Sequence, residues 1–159
     1  MRARLYTEEQ VQAILKESQG APSPVARWAM DGHARSHVGV SKQQLAYDFL
    51  YDHEGRRRAR QPLAKTSFLT FADQVRVATA LLNSPEGQRL LQQLDAAGPG
   101  ADFTLTGDVD LNPRVRIHYN MSGAPDETRL VPWARFVLLA GATPSGLYVH
   151  TCFADVRVE

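Results

Sequence analysis

The chain lacks much, and each absence excludes something. It has a single cysteine, Cys152, among 159 residues, so an internal disulfide framework and a cysteine-rich zinc site are both excluded and stability must come from packing. Cys152 falls in a stretch that reads as a strand, where a small buried thiol is expected rather than a nucleophile. No apolar run approaches the length of a membrane span, and residues 1–20 carry Glu8, Glu9 and Lys16 where a signal peptide needs its apolar stretch. Neither an export signal nor a membrane anchor is expected from these residues. Internal repeats and low-complexity tracts are absent as well. Net charge is only +1, with 43% hydrophobic and 22% charged residues, the balance of an ordinary globular domain long enough to bury a core.

That small net charge hides an asymmetry. Residues 1–65 carry eleven Lys/Arg against seven Asp/Glu, while residues 66–159 carry seven against ten. Much of the basic excess is the run Arg56, Arg57, Arg58 and Arg60, which either meets phosphates or is simply a solvated loop.

Two of the five histidines stand four apart in Asp31-Gly32-His33-Ala34-Arg35-Ser36-His37-Val38-Gly39-Val40-Ser41. In a helical turn or an extended strand alike, that spacing points both imidazoles to one side. Histidine titrates near neutral pH and serves as general acid, general base or metal ligand. A zinc-protease motif is excluded, because it needs Glu directly after the first histidine and the chain has Ala34. A simpler two-histidine metal site would need a third ligand, for which Asp31, Asp52 or His53 are the nearest candidates. The bland alternative has one histidine packing against a helix and the other facing solvent.

Taken in order, Thr7 to Ser18 reads as an amphipathic helix with a Thr7/Gln10 capping box and an apolar stripe of Val11, Ile14 and Leu15. Ala21-Pro22-Ser23-Pro24 breaks it, so residues 1–22 are expected as a helical arm or linker and 23–159 as the main domain. Val25 to Met30 suggests a further helical turn with Trp28 anchored in the core. Ser41 starts a helix running to about Tyr51, His53 to Lys65 reads as a mobile basic loop, and Thr70 caps a helix over 71–82. Ser84-Pro85-Glu86 opens a fourth helix that Gly98 ends. From Asp102 the period falls to 2, and strands are expected at 103–106, 114–120, 135–139 and 147–158, with a hairpin turn over 140–146. Helices first and strands after argue an α+β fold with a twisted antiparallel sheet. In the last strand, alternation groups Val149, Thr151 and Phe153 on one face and Tyr148, His150 and Cys152 on the other.

These pieces carry a resemblance. Gly32-His33, His37-Val38-Gly39, the capped segment Ser41 to Leu50, Thr66-Ser67-Phe68, the helices between Phe71 and Leu94, and Gly146-Leu147-Tyr148-Val149-His150-Thr151-Cys152-Phe153 occur in an order similar to that of the bacterial ribonuclease A-like toxin domains. Those domains are the C-terminal effectors of contact-dependent growth inhibition and related polymorphic toxins. The resemblance covers about Gly32 to Val156. It implies metal-independent RNA cleavage with no cofactor, through attack of a ribose 2′-hydroxyl on phosphorus to give a 2′,3′-cyclic phosphate. It assigns acid-base chemistry to His37 and a phosphate-binding hydroxyl to Thr151. It also implies RNA as substrate, with tRNA one candidate, a cognate immunity protein as partner, and secretion or delivery within a larger effector that acts in the target-cell cytoplasm.

The chain departs from that pattern at two positions. Asp48 stands where such domains typically place an arginine on the helix, and Phe153 where they often have a tyrosine. Candidate replacements are Arg35, Lys65 or the loop arginines Arg56, Arg57 and Arg58 for the cation, His33 or His150 for the second acid-base group, and Phe153 as a stacking surface for a base. The competing expectation is a catalytically degenerate module with the same fold that binds RNA or a protein.

Overall fold

The computed structural model describes residues 5–124 and 126–156. Over these residues the chain is α+β, with four α-helices and two three-stranded antiparallel sheets. Helix α1 (Glu8–Ser18) is capped at Thr7 by the expected reciprocal box with Gln10. Helices α2 (Lys42–Leu50), α3 (Phe71–Asn83) and α4 (Pro85–Ala97) begin at Ser41, Thr70 and Ser84, whose hydroxyls each accept an amide proton of the first turn. Short polar side chains that satisfy otherwise orphaned amides fix these starts.

The strands depart from expectation in several ways. Strand β1 (Ala64–Phe68) precedes α3, so residues 64 and 65 belong to a sheet and not to the basic loop. β2 (Asp102–Gly107) and β5 (Arg135–Thr143) are longer than their alternation showed, and β3 (Ile117–Met121) starts later than Arg114. β4 (Thr128–Val131) is an additional short strand whose residues are half-buried or exposed and so carry no strong apolar pattern. Strand β6 (Gly146–Asp155) ends within the expected stretch; residues 157 and 158 lie outside the described residues. Instead of one sheet there are two, ordered β1-β3-β4 and β2-β5-β6. Val25 to Met30 forms turns and no helix, and Trp28 is half-buried, stacked on His150 instead of anchored in the core.

The core fills the space between the sheets and α3 and α4, with Phe68 stacked on Phe136 and Ile117, Leu138, Val149, Leu81 and Leu82 around them. Val11 and Leu15 of α1, expected as an arm, belong to the same cluster. Residues 1–4 of that arm lie outside the described residues.

β6 is the last strand of its sheet, and its open edge is occupied by four other parts of the chain. The Ser18 hydroxyl accepts from the Val149 amide at 3.1 Å. The His33 amide donates to the His150 carbonyl at 2.9 Å. The Gln74 amide group donates to the Cys152 carbonyl at 2.9 Å, and the Thr66 hydroxyl to the Ala154 carbonyl at 2.7 Å. The chain segments that carry the candidate histidines are thus moored to one strand.

Candidate active site

Gly32 delivers the first histidine. Its N–H donates to the Ala21 carbonyl, its own carbonyl accepts from Gly20, and a Cβ at this position would lie 2.0 Å from the Ser18 carbonyl oxygen. Only glycine lets the chain pass the end of α1 this closely. A single 3-10 turn, Ala34–His37, follows, and the chain leaves it through Gly39 at φ +67°, whose amide donates to the Phe68 carbonyl.

This turn brings His33 and His37 to one side, with ring centroids 5.9 Å apart. The third imidazole comes from β6. Leu139 pairs with Thr151 but Ala140 pairs with Val149, so His150 is an extra residue in a β-bulge. The bulge breaks the simple alternation: Val149, Cys152, Ala154 and Val156 all join the core, which leaves Phe153 as well as His150 on the side of the histidines. The His150 ring meets His33 edge-on at 4.9 Å, and Phe153 lies 5.3 Å from His37. Trp28, His150, His33, His37 and Phe153 therefore form one continuous row of rings, with Trp28 stacked on His150 at 4.4 Å.

Hydrogen bonds orient two of these imidazoles. Nδ1 of His33 is 3.0 Å from the Asp31 carbonyl. A carbonyl only accepts, so Nδ1 carries the proton and Nε2 is left to face other groups. Nδ1 of His150 lies 2.9 Å from the Tyr148 hydroxyl, two residues along the same strand.

Electrostatics distinguish His37. Burial, then the nearby charges of His33 and Lys65, lower its pKa to about 4, so it is neutral at pH 7. Burial and the charge of His33 also lower that of His150. Lys65, on β1, is pushed down by burial and by Arg58, with Asp48 pulling the other way. The site is therefore a partly buried cluster of bases that repel one another's protons.

Not every expected residue joins it. The Arg35 guanidinium lies over the Phe71 ring at 4.6 Å, and its backbone amide donates to Gln19. Arg56 is held by Glu54 and Asp52, and Nε of Arg58 donates to the Asp48 carbonyl at 2.8 Å. Arg57 is exposed beside its isolated bridge to Tyr51. Thr151 sits next to His150, but its hydroxyl is buried and unpartnered. His53 is solvent-exposed on the basic loop and pairs only with its neighbour Glu54, at 3.9 Å. Among the described residues no three His, Cys, Asp or Glu side chains are placed to hold a metal ion. Sequence reasoning placed Tyr148 on the strand face of His150 by their i, i+2 spacing but gave it no role, missed Trp28 as a neighbour of the site, and missed Gln74 altogether.

Among the described residues no helix is long and apolar enough to cross a membrane. Compared with protein-family models, curated proteins and solved structures, the chain matches none.

Proposed function

We propose that this chain is a metal-independent endoribonuclease with a ribonuclease A-like fold, working as the toxin domain of a larger delivered effector and restrained by a cognate immunity protein. The observation that carries the reading is the convergence of His33, His37 and His150, drawn from a turn and a bulged strand, beside Lys65. Cleavage by an internal nucleophile needs a neutral base, a proton donor and a cation for the extra charge on phosphorus. This cluster offers all three.

His37, neutral at pH 7, takes the proton of the ribose 2′-hydroxyl. The freed oxygen attacks the adjacent phosphorus, the bond from phosphorus to the 5′-oxygen breaks, and an imidazolium returns a proton to that leaving oxygen. The donor is an imidazolium of His33 or His150, which lie edge to face at 4.9 Å; a charge on His33 disfavours one on His150. Lys65 meets the charge that develops on the phosphoryl oxygens, and Phe153 offers a face to a base. Thr151 is a phosphate donor only if its hydroxyl is uncovered on binding.

The test is cleavage of a mixed RNA oligonucleotide in EDTA by wild type and by His37→Ala, His33→Ala and His150→Ala, with a 2′-deoxy oligonucleotide as control. The reading requires a cyclic-phosphate product, no cut in the deoxy chain, and a loss of about 10²-fold or more in His37→Ala. Intact RNA after incubation with folded wild type would overturn it.

A second reading, a degenerate module that binds RNA or protein, is favoured by Asp48, whose carboxylate lies near enough to Lys65 to raise its pKa and so competes with phosphate for it. Salt-dependent binding without cleavage is the outcome it expects.

A further inference from the structure

The inward face of α3 is apolar at Val75, Val77, Ala78, Leu81 and Leu82, and then has one exception. Gln74 is 0% exposed. Its amide nitrogen donates to two carbonyls that come from different parts of the fold, Ala34 at 2.7 Å and Cys152 at 2.9 Å. Ala34 follows His33 in the turn that holds His37, and Cys152 lies two residues beyond His150. One side chain thus ties the carrier of two imidazoles to the carrier of the third.

The arrangement has a cost. Oε1 of Gln74 is buried with no hydrogen-bond partner, a rarity in folded proteins, where buried polar atoms are nearly always satisfied. A methionine would fill similar volume in this helix without an orphaned acceptor. What glutamine alone supplies is two N–H donors diverging from one atom.

We infer that Gln74 is a positioning residue, which sets the spacing and orientation of His33 and His37 relative to His150 by clamping the Ala34 and Cys152 carbonyls. In its activity arm this inference rests on the ribonuclease reading; in its spectroscopic arm it does not. Without the clamp the turn is still held to β6 by the His33 amide on the His150 carbonyl, so the site loosens without coming apart.

The experiment compares wild type, Gln74→Met, Gln74→Glu and, as a control on the same buried helix face, Val77→Ala. Imidazole NMR titrations are recorded on each, together with thermal unfolding. The Gln74 variants are expected to bring the His37 titration back from about pH 4 toward the ordinary value of 6.5, because the ring is no longer held among its neighbours. Val77→Ala is expected to lower the melting temperature and leave all histidine titrations unchanged. Cleavage assays are expected to show kcat falling 10- to 100-fold in Gln74→Met with KM within about twofold, the pattern of misplaced catalytic groups. Histidine titrations identical to wild type in folded Gln74→Met would overturn the proposal, as would an equal shift in Val77→Ala. If neither Gln74 variant folds, Gln74 is a general folding residue and the proposal also fails. Absence of RNA cleavage in wild type, with the titrations shifting as described, would sink the ribonuclease reading and leave the clamp standing.

Discussion

The backbone amide of His33 donates to the carbonyl of His150 over 2.9 Å. Two residues with titrating side chains are therefore joined through their main chains, and the distance between their rings depends on backbone bonds and not on side-chain choice alone. A substitution that removes either ring leaves this bond in place. His33→Ala is accordingly expected to fold with a near-native melting temperature, so activity lost there would reflect lost chemistry, whereas His150→Ala also gives up its stacking on Trp28 and its hydrogen bond to Tyr148 and should melt lower; circular dichroism melts check this.

Acid should destabilise the fold through His37. Its folded pKa is about 4 against 6.5 unfolded, so between these values the unfolded chain binds more protons and stability falls as pH drops through that window. The contribution is at most roughly 3 kcal/mol, fully present above pH 6.5 and absent below pH 4. Burial lowers the pKa of His150 and His118 too, adding to the same slope. Urea midpoints measured from pH 4 to 7.5 should rise steeply in wild type and more gently in His37→Gln.

Anions should reverse that effect. The charges of His33 and Lys65 help to keep His37 unprotonated, and a bound dianion would screen them and favour the imidazolium. Binding and protonation are linked, so sulfate, a dianion at both values, should bind tighter at pH 5.5 than at pH 7.5. Lys65→Ala should weaken it about tenfold, and Asp48→Asn should strengthen it by removing a competing carboxylate. Calorimetric titrations at the two pH values decide the matter; sulfate affinity independent of pH would contradict the electrostatics described.

The basic loop is not uniform. Arg56 is engaged by Glu54 and Asp52 and Arg58 by the end of α2, whereas Arg57 projects into solvent. Arg57→Ala should lower the salt dependence of RNA binding by about one counterion, and Arg56→Ala by less. Equal slopes for the two variants would show that the acidic neighbours of Arg56 do not hold it back from RNA.

Cys152 should be inert while the fold persists. It is fully buried, and burial pushes its thiol up to about 12, so almost no thiolate exists at pH 8. Its labelling by iodoacetamide should follow global unfolding and accelerate with urea in proportion to the unfolded population.

Helix starts were legible in the sequence because caps are local: Thr7, Ser41, Thr70 and Ser84 each announce a helix through residues three or fewer away. The second sheet was not legible, since β1 is five residues long beside an arginine run and β4 has no buried face. At the site, His33 and His37 were visible as a pair from spacing, and Lys65 as a candidate cation. That His150 and Phe153 share a side was not, because one bulged residue moves every later side chain to the opposite face and no local signal marks the bulge. Gln74 was hidden for a different reason: a glutamine within a helical stripe reads as solvent-facing until the carbonyls it meets, 40 and 78 positions away, are in view.

The four bonds along the outer edge of β6 have one more consequence. A terminal strand with free amides and carbonyls invites another chain to extend the sheet, which is the usual seed of domain swapping and fibril growth. Here Ser18, His33, Thr66 and Gln74 have taken those positions with donors and acceptors that do not form a continuous ladder. The strand that bears His150 is consequently closed to self-templating, and variants that strip the Ser18, Thr66 and Gln74 side chains should show it first as concentration-dependent association.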